Sequence, residues 1–92
     1  MNVAGPPSRD VSVVIPARNA AATISGALRS LVPDMDLISE VLLIDDGSED
    51  GTAAAASDSA ARQGLPLRVV ATRLGSAGAA RNAGIDLAGG KY

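Results

Sequence analysis

"EVLLIDDGSEDGT", residues 40–52, joins an unbroken apolar run (Val41 to Ile44) to a turn that packs four carboxylates, Asp45, Asp46, Glu49 and Asp50, around Gly47. Consecutive apolar positions put apolar side chains on both faces of a strand, the pattern of a strand covered on each side in a parallel sheet. Asp50 or Thr52 can then start an alanine-rich helix to about Gln63, with Gly64 placed as its C-terminal cap. A buried strand that feeds directly into a helix is half of a β-α-β unit.

The same grammar repeats on either side. "VSVVI" (Val11 to Ile15) is a β-branched run expected to be covered on both faces and to end at Pro16, which cannot donate to a ladder. Asn19 is expected to cap a helix whose apolar positions Ile24, Ala27, Leu28 and Leu31 follow i, i+3, i+4, i+7 spacing before Pro33 ends it. Downstream, "LRVVA" (Leu67 to Ala71) predicts a third strand and "TRLGSAG" a loop. A third helix from about Ala77 to Ala88 presents Ala80, Gly84, Ile85 and Ala88 on one face and closes at Gly89-Gly90. Tyr92 would begin a fourth strand, and residues 1–10, with Gly5-Pro6-Pro7-Ser8, read as a flexible tail before a single domain at 11–92. The order βαβαβα predicts an α/β fold, a Rossmann-like three-layer α/β/α arrangement with a mostly parallel sheet and right-handed crossovers. Ligands on such sheets bind beyond the carboxyl ends of the strands, at the topological switch point.

Composition narrows the chemistry. Ninety-two residues make one small domain, and with a single aromatic residue, Tyr92, its core is built of aliphatic and alanine side chains. Eight basic residues against ten acids are scattered singly, so no basic stripe tracks a nucleic-acid backbone. With no cysteine and no histidine, disulfides, thiolate nucleophiles, histidine bases and the usual zinc ligand sets are excluded. "MNVAGPPSRD" lacks the pattern of a signal peptide and no run approaches ~20 apolar residues; a cytoplasmic chain is the expectation.

Several sites can be set aside by spacing. Asp46, Ser48, Asp50 and Gly51 match the opening of a calcium loop, but its twelfth position falls on Ser57 where a bidentate glutamate is required. "PARNAAAT" after the first strand has no G-x-G-x-x-G, so a dinucleotide pyrophosphate has no glycine to approach. "GIDLAGGKY" has one glycine too many before its lysine and Tyr92 in place of Ser or Thr, and is a helix end, not a phosphate loop. A phospho-acceptor domain would want its acidic pair after strand one, and here the pair ends strand two.

What remains is a carboxylate at the mouth of the second strand. Alternation sends Asp45 and Asp46 to opposite faces, so at most one reaches a ligand across the strand ends and the other is structural. A carboxylate ~4 Å from a phosphate charge is repelled by about 4 kcal/mol at an effective dielectric of 20. The ligand-facing acid should therefore address a donor. Uracil N3–H is one: a charge-assisted bond to it contributes roughly 1.5–3 kcal/mol, whereas cytosine presents a lone pair there. The plainer alternative is a turn whose acids only cap the second helix.

"VSVVIPARN", "EVLLIDDGSEDGT" and "GSAGAARNAGIDLAGGKY" resemble, in order and spacing over residues 11–92, the N-terminal half of family 2 glycosyltransferases with a GT-A fold. The resemblance implies a UDP-sugar donor over strands one and two, with Pro16, Ala17 and Asn19 lining the base pocket and Asp46 reading uracil N3. Asp45 becomes the turned-in partner, Gly47 and Ser48 the turn beside the base, and Arg81 with Asn82 the element near the donor phosphates or sugar. Two positions depart from the family: Arg18 stands where tyrosine is frequent and Ala20 where glutamate is frequent.

The resemblance further implies that an aspartate-x-aspartate element holding Mn²⁺ or Mg²⁺ follows the strand at Tyr92, with the acceptor site and catalytic base beyond it. The chain is therefore expected to be the donor-binding part of a hexosyl transferase acting on an unknown acceptor, inactive alone and binding no metal by itself. The edge of strand one is expected to be bare and to invite self-association. A non-catalytic α/β module with a structural or assembly role is the alternative function.

Overall fold

A computed structural model of the protein describes residues 11–88. The elements are β1 (Val11–Ala17), α1 (Ile24–Arg29), a 3-10 segment (Val32–Leu37), β2 (Ile38–Asp46), α2 (Thr52–Gln63), β3 (Leu67–Thr72) and α3 (Ala77–Leu87). All pairing is parallel, in the order β1-β2-β3. The expected tail at 1–10, the closure at Gly89-Gly90 and the strand at Tyr92 lie outside the described residues.

β2 is the centre, and its apolar run explains why. Val41, Leu42, Leu43 and Ile44 are completely buried, each contributing ~1.5–3 kcal/mol on removal from water. Val41 and Leu43 face one layer with Ile24 and Leu28 of α1 and Ala56 and Ala60 of α2. Leu42 and Ile44 face the other, against Ala80 of α3. The expected three-layer α/β/α architecture is thus present. Its strand termini carry the alternation onward, leaving Asp45 on the α1/α2 side and Asp46 on the α3 side.

α3 packs over β1 and β2, crossing back over the sheet on the face opposite α1 and α2. It comes close because position 84 has no side chain: a Cβ there would stand 2.3 Å from Val14 Cγ1 and 3.1 Å from Ile44 Cγ1. The start of α3 thereby stands beside the carboxyl ends of β1 and β2, the end of the sheet at which α/β folds receive ligands.

Three expectations are corrected. β1 continues through Pro16, paired in register with Ile44, to Ala17; among the described residues β1 is an edge strand, where a missing N–H is tolerated. For the same reason Val13, Val14 and Ile15 are half-buried and not covered on both faces. An apolar groove of about 400 Å³ follows Val11 to Val14 along that edge, walled by Arg81 and Ile85. Finally, α1 is shorter at both ends than the apolar stripe predicts: it starts at Ile24 and gives way beyond Arg29 to a turn and the 3-10 segment, with Pro33 inside that segment's first turn.

Candidate functional site

The carboxyl ends of β1 and β2 are fastened together by the turn that drew attention in the sequence. Ser48 Oγ accepts the Asn19 N–H at 2.8 Å, and Asn19 Oδ1 accepts the Glu49 N–H at 2.8 Å. Thr52 Oγ1 accepts the Ala20 N–H at 2.8 Å, and Asp50 Oδ2 accepts the Ala21 N–H at 3.0 Å. Four bonds across some thirty residues of sequence make one clasp of two loops. Asn19 is therefore not the cap of α1; that position is Thr23, which makes no side-chain cap bond. Asn19 instead adopts a left-handed backbone, φ +53°, which asparagine accepts more readily than most residues.

The acids divide their work. Asp50 also receives the Thr52 N–H at 3.1 Å and the Thr52 hydroxyl at 2.5 Å on Oδ1. The Thr52 hydroxyl foremost, and the Ala21 N–H after it, hold the Asp50 carboxyl below its ordinary range against a desolvation that raises it. Asp45 Oδ1 accepts the Ser48 N–H at 3.2 Å and closes the turn at Gly47, whose φ of +77° suits glycine. Asp45 thus serves the turn and Asp50 the approach to α2, whose cap position is Gly51 without a side-chain cap bond.

Asp46 is different. It is 6% exposed and is gripped by the loop between β3 and α3. Its Oδ1 accepts the Thr72 hydroxyl at 3.0 Å and the Leu74 N–H, and its Oδ2 accepts the Gly75 N–H at 2.8 Å. The Leu74 N–H is the main cause that lowers its pKa; desolvation opposes it, and Thr72, Gly75 and the nearby Arg18 charge add to the lowering. The group is accordingly ionised at neutral pH. A carboxylate has about four lone-pair directions, so the three bonds leave one free, on Oδ2.

Asp46 lines a cleft with two compartments. The inner one, about 140 Å³, lies among Pro16, Ala17, Arg18, Asp46 and the Gly75-Ser76 entrance to α3, with Ala80 beneath. The outer one, about 150 Å³, adds Gly47, Glu49 and Arg73. Each alone is below the ~300–1,000 Å³ of an ordinary ligand site; they share Arg18, Asp46 and Gly75 and lie side by side.

Pro16, Ala17, Asp46 and Gly47 thus meet at the cleft, while Asn19 and Ser48 belong to the clasp that holds its β1 and β2 walls. Arg81 is not at the cleft: it is exposed beside the β1 groove. The sequence reading missed Thr72, Leu74 and Gly75. Two of these act through backbone N–H groups, which every residue but proline carries, so no residue type announces them; the φ of +80° at Gly75 is the one trace a glycine leaves. Ser76 accepts the Ala79 N–H at 3.1 Å and caps α3, fixing the helix start at the cleft wall.

Among the described residues no group of three or more histidine, cysteine, aspartate or glutamate side chains stands where it could hold a metal ion. No helix is long and apolar enough to cross a membrane among the described residues.

The sequence profile of the family described as Glycosyl transferase family 2 matches residues 12–92. Among solved structures, glucosyl-3-phosphoglycerate synthase from Mycobacterium tuberculosis in complex with Mn²⁺, UDP-glucose and glycerol 3-phosphate is similar at TM-score 0.56 and 39% identity, over 68% of this chain and 21% of that one. The same synthase with Mg²⁺ and UDP gives the same values. A structure described only as a mycobacterial protein matches at TM-score 0.54 and 32% identity, over 66% of this chain and 19% of that one. The chain spans about a fifth of the length of these proteins. No curated protein matches it.

Proposed function

Because the chain belongs to glycosyltransferase family 2, we propose that it carries the donor-recognition part of a UDP-sugar-dependent hexosyl transferase, with the uracil ring in the cleft at the ends of β1 and β2. The observation that supports this most is the single unused acceptor direction on Asp46 Oδ2, on a buried carboxylate kept ionised by the β3–α3 loop. An ionised acceptor held rigidly in a cleft suits a planar donor such as uracil N3–H, and it repels the N3 lone pair of cytosine. The synthase structures similar to this chain hold UDP or UDP-glucose with Mn²⁺ or Mg²⁺, which agrees with the donor class and with a divalent metal in a complete enzyme.

Asp46 accepts and orients, Pro16 and Ala17 wall the ring, and the Asn19–Ser48–Glu49 clasp keeps the two strand ends in register around it. None of these residues activates an acceptor hydroxyl, so the reading assigns donor binding to these residues and no chemical step. Incubating the chain with UDP-glucose and releasing no glucosyl product is the expected result.

The test is base selectivity. Binding of UDP and CDP to the wild type and to Asp46→Asn, followed by isothermal titration or amide shifts, should favour UDP by about tenfold or more in the wild type and lose that preference in the variant. Equal affinity of the wild type for the two nucleotides would overturn the assignment of Asp46.

A further inference from the structure

We infer that Thr72 is a positioning residue for base selection: by occupying Oδ1 of Asp46, its hydroxyl leaves the carboxylate a single oxygen, Oδ2, with which to receive a base. The inference rests on the reading of Asp46 given above. Thr72 itself lines neither compartment of the cleft, whereas Asp46 lines both, so Thr72 acts through the carboxylate and not on the ligand.

The sheet brings the two side chains together. Asp46 and Thr72 are register partners at the ends of β2 and β3, and partners in a ladder project from the same face. Thr72 is half-buried, and its β-branched side chain has few χ1 choices. Its hydroxyl donates to Asp46 Oδ1 at 3.0 Å. An ionised carboxylate only accepts, so the direction of this bond is fixed.

The three bonds that hold Asp46 are not equivalent. Leu74 and Gly75 donate through backbone N–H groups, which a change of side chain leaves in place. Thr72 supplies the side-chain donor, so residue 72 is where the sequence sets the grip. With Thr72 and Leu74 both on Oδ1, the roughly two acceptor directions of that oxygen are filled, while Oδ2 receives Gly75 alone. Without the hydroxyl each oxygen keeps an open direction, and a donor on a base can be met from two positions. The Leu74 N–H does most to lower the Asp46 pKa, desolvation opposes it, and the Thr72 hydroxyl adds to the lowering; it thus helps to keep the acceptor ionised.

Serine at this position keeps the hydroxyl without the methyl, and valine keeps the branched shape without the hydroxyl, in a strand that suits valine. UDP and CDP binding, followed by amide shift titration, is compared for the wild type, Thr72→Val and Thr72→Ser, each with Asp46 intact and in the Asp46→Asn background. With Asp46 intact, Thr72→Val should weaken UDP about fivefold and CDP less than about twofold, while Thr72→Ser stays within about twofold of the wild type. In the Asp46→Asn background Thr72→Val should change UDP less than about twofold, because the group it acts through is gone. In the chain without nucleotide, the Asp46 carboxyl carbon followed by NMR against pH should titrate at a higher midpoint in Thr72→Val and return toward the wild type in Thr72→Ser. Unfolding of Thr72→Val, equal weakening of UDP in both backgrounds, or serine failing as valine does would assign Thr72 to the packing of the strand ends and overturn the inference. A wild type that binds neither nucleotide, or both alike, would remove the base-site reading and this inference with it, whereas full UDP-over-CDP selectivity in Thr72→Val would sink the inference alone.

Discussion

Replacing Gly84 by alanine tests how α3 is seated, and with it the wall of the cleft. The added Cβ would lie 2.3 Å from Val14 Cγ1 and 3.1 to 3.3 Å from two atoms of Ile44, against an ordinary carbon–carbon separation of ~3.5–4.0 Å. Val14 is β-branched and has few rotamers to retreat into, and Ile44 is fully buried, so α3 itself must move out by about 1 Å. Overpacking of this kind costs ~1–3 kcal/mol. The gain from replacing a helical glycine, ~0.5–1 kcal/mol, offsets part of it. A net loss of about 1–2 kcal/mol remains, and for a domain of this size each kcal/mol lowers the melting temperature by roughly 4–8 °C. Gly26→Ala in α1 is the matched control, because nothing lies within 4 Å of its Cβ position; it should stabilise by ~0.5–1 kcal/mol. The assay is thermal unfolding followed by circular dichroism. If Gly84→Ala melts at or above the wild type, the close seating of α3 on β1 and β2 is refuted.

The clasp makes its own demand on Asn19. Asn19→Ala should lose ~1–2 kcal/mol, from the bond accepted from Glu49 and from the left-handed backbone that alanine resists, while Asn19→Gly, which relieves the backbone but not the bond, should lose about half as much in the same denaturant titration. Acid should also act through the turn. Asp46 and Asp50 both have pKa values lowered from an ordinary 3.8, so the stability they contribute is complete above that value and is lost as pH falls below it through the lowered folded values. Melting temperature measured against pH should be level through the neutral range and drop below about pH 4, and Asp50→Asn should flatten that limb; a limb unchanged in the variant would count against the hydrogen bonds assigned to Asp50.

The parts of the fold that could be read from the sequence are those in which one residue type has one physical use. β2 was legible because four consecutive apolar residues fit only a strand covered on both faces, and α2 because Gly64 could be placed as a left-handed cap, φ +75°. β1 was read short because Pro16 ends a central strand but is tolerated on an edge, and edge or centre is a property of the whole sheet. α1 was read long because Asn19 can cap a helix or bridge to a second loop, and only the proximity of Ser48 and Glu49, some thirty residues away, decides which. The opposite faces of Asp45 and Asp46 followed from alternation alone. What grips Asp46 did not, since the Leu74 and Gly75 N–H groups belong to a loop without a distinguishing side chain. The position of Arg81 beside the β1 groove was also illegible, because it depends on how far α3 overhangs the sheet edge, and that is set by the side-chain-free contact at Gly84.

The most direct test of the account is a UDP titration of the isotope-labelled chain observed through its backbone amides. The account predicts saturable shifts at Ala17, Arg18, Asp46 and Gly47, together with Leu74 and Gly75, whose N–H groups donate to the carboxylate that would receive the base. Spectra unmoved by millimolar UDP, or shifts gathered along Val11 to Val14 and Arg81 and not at the cleft, would contradict it.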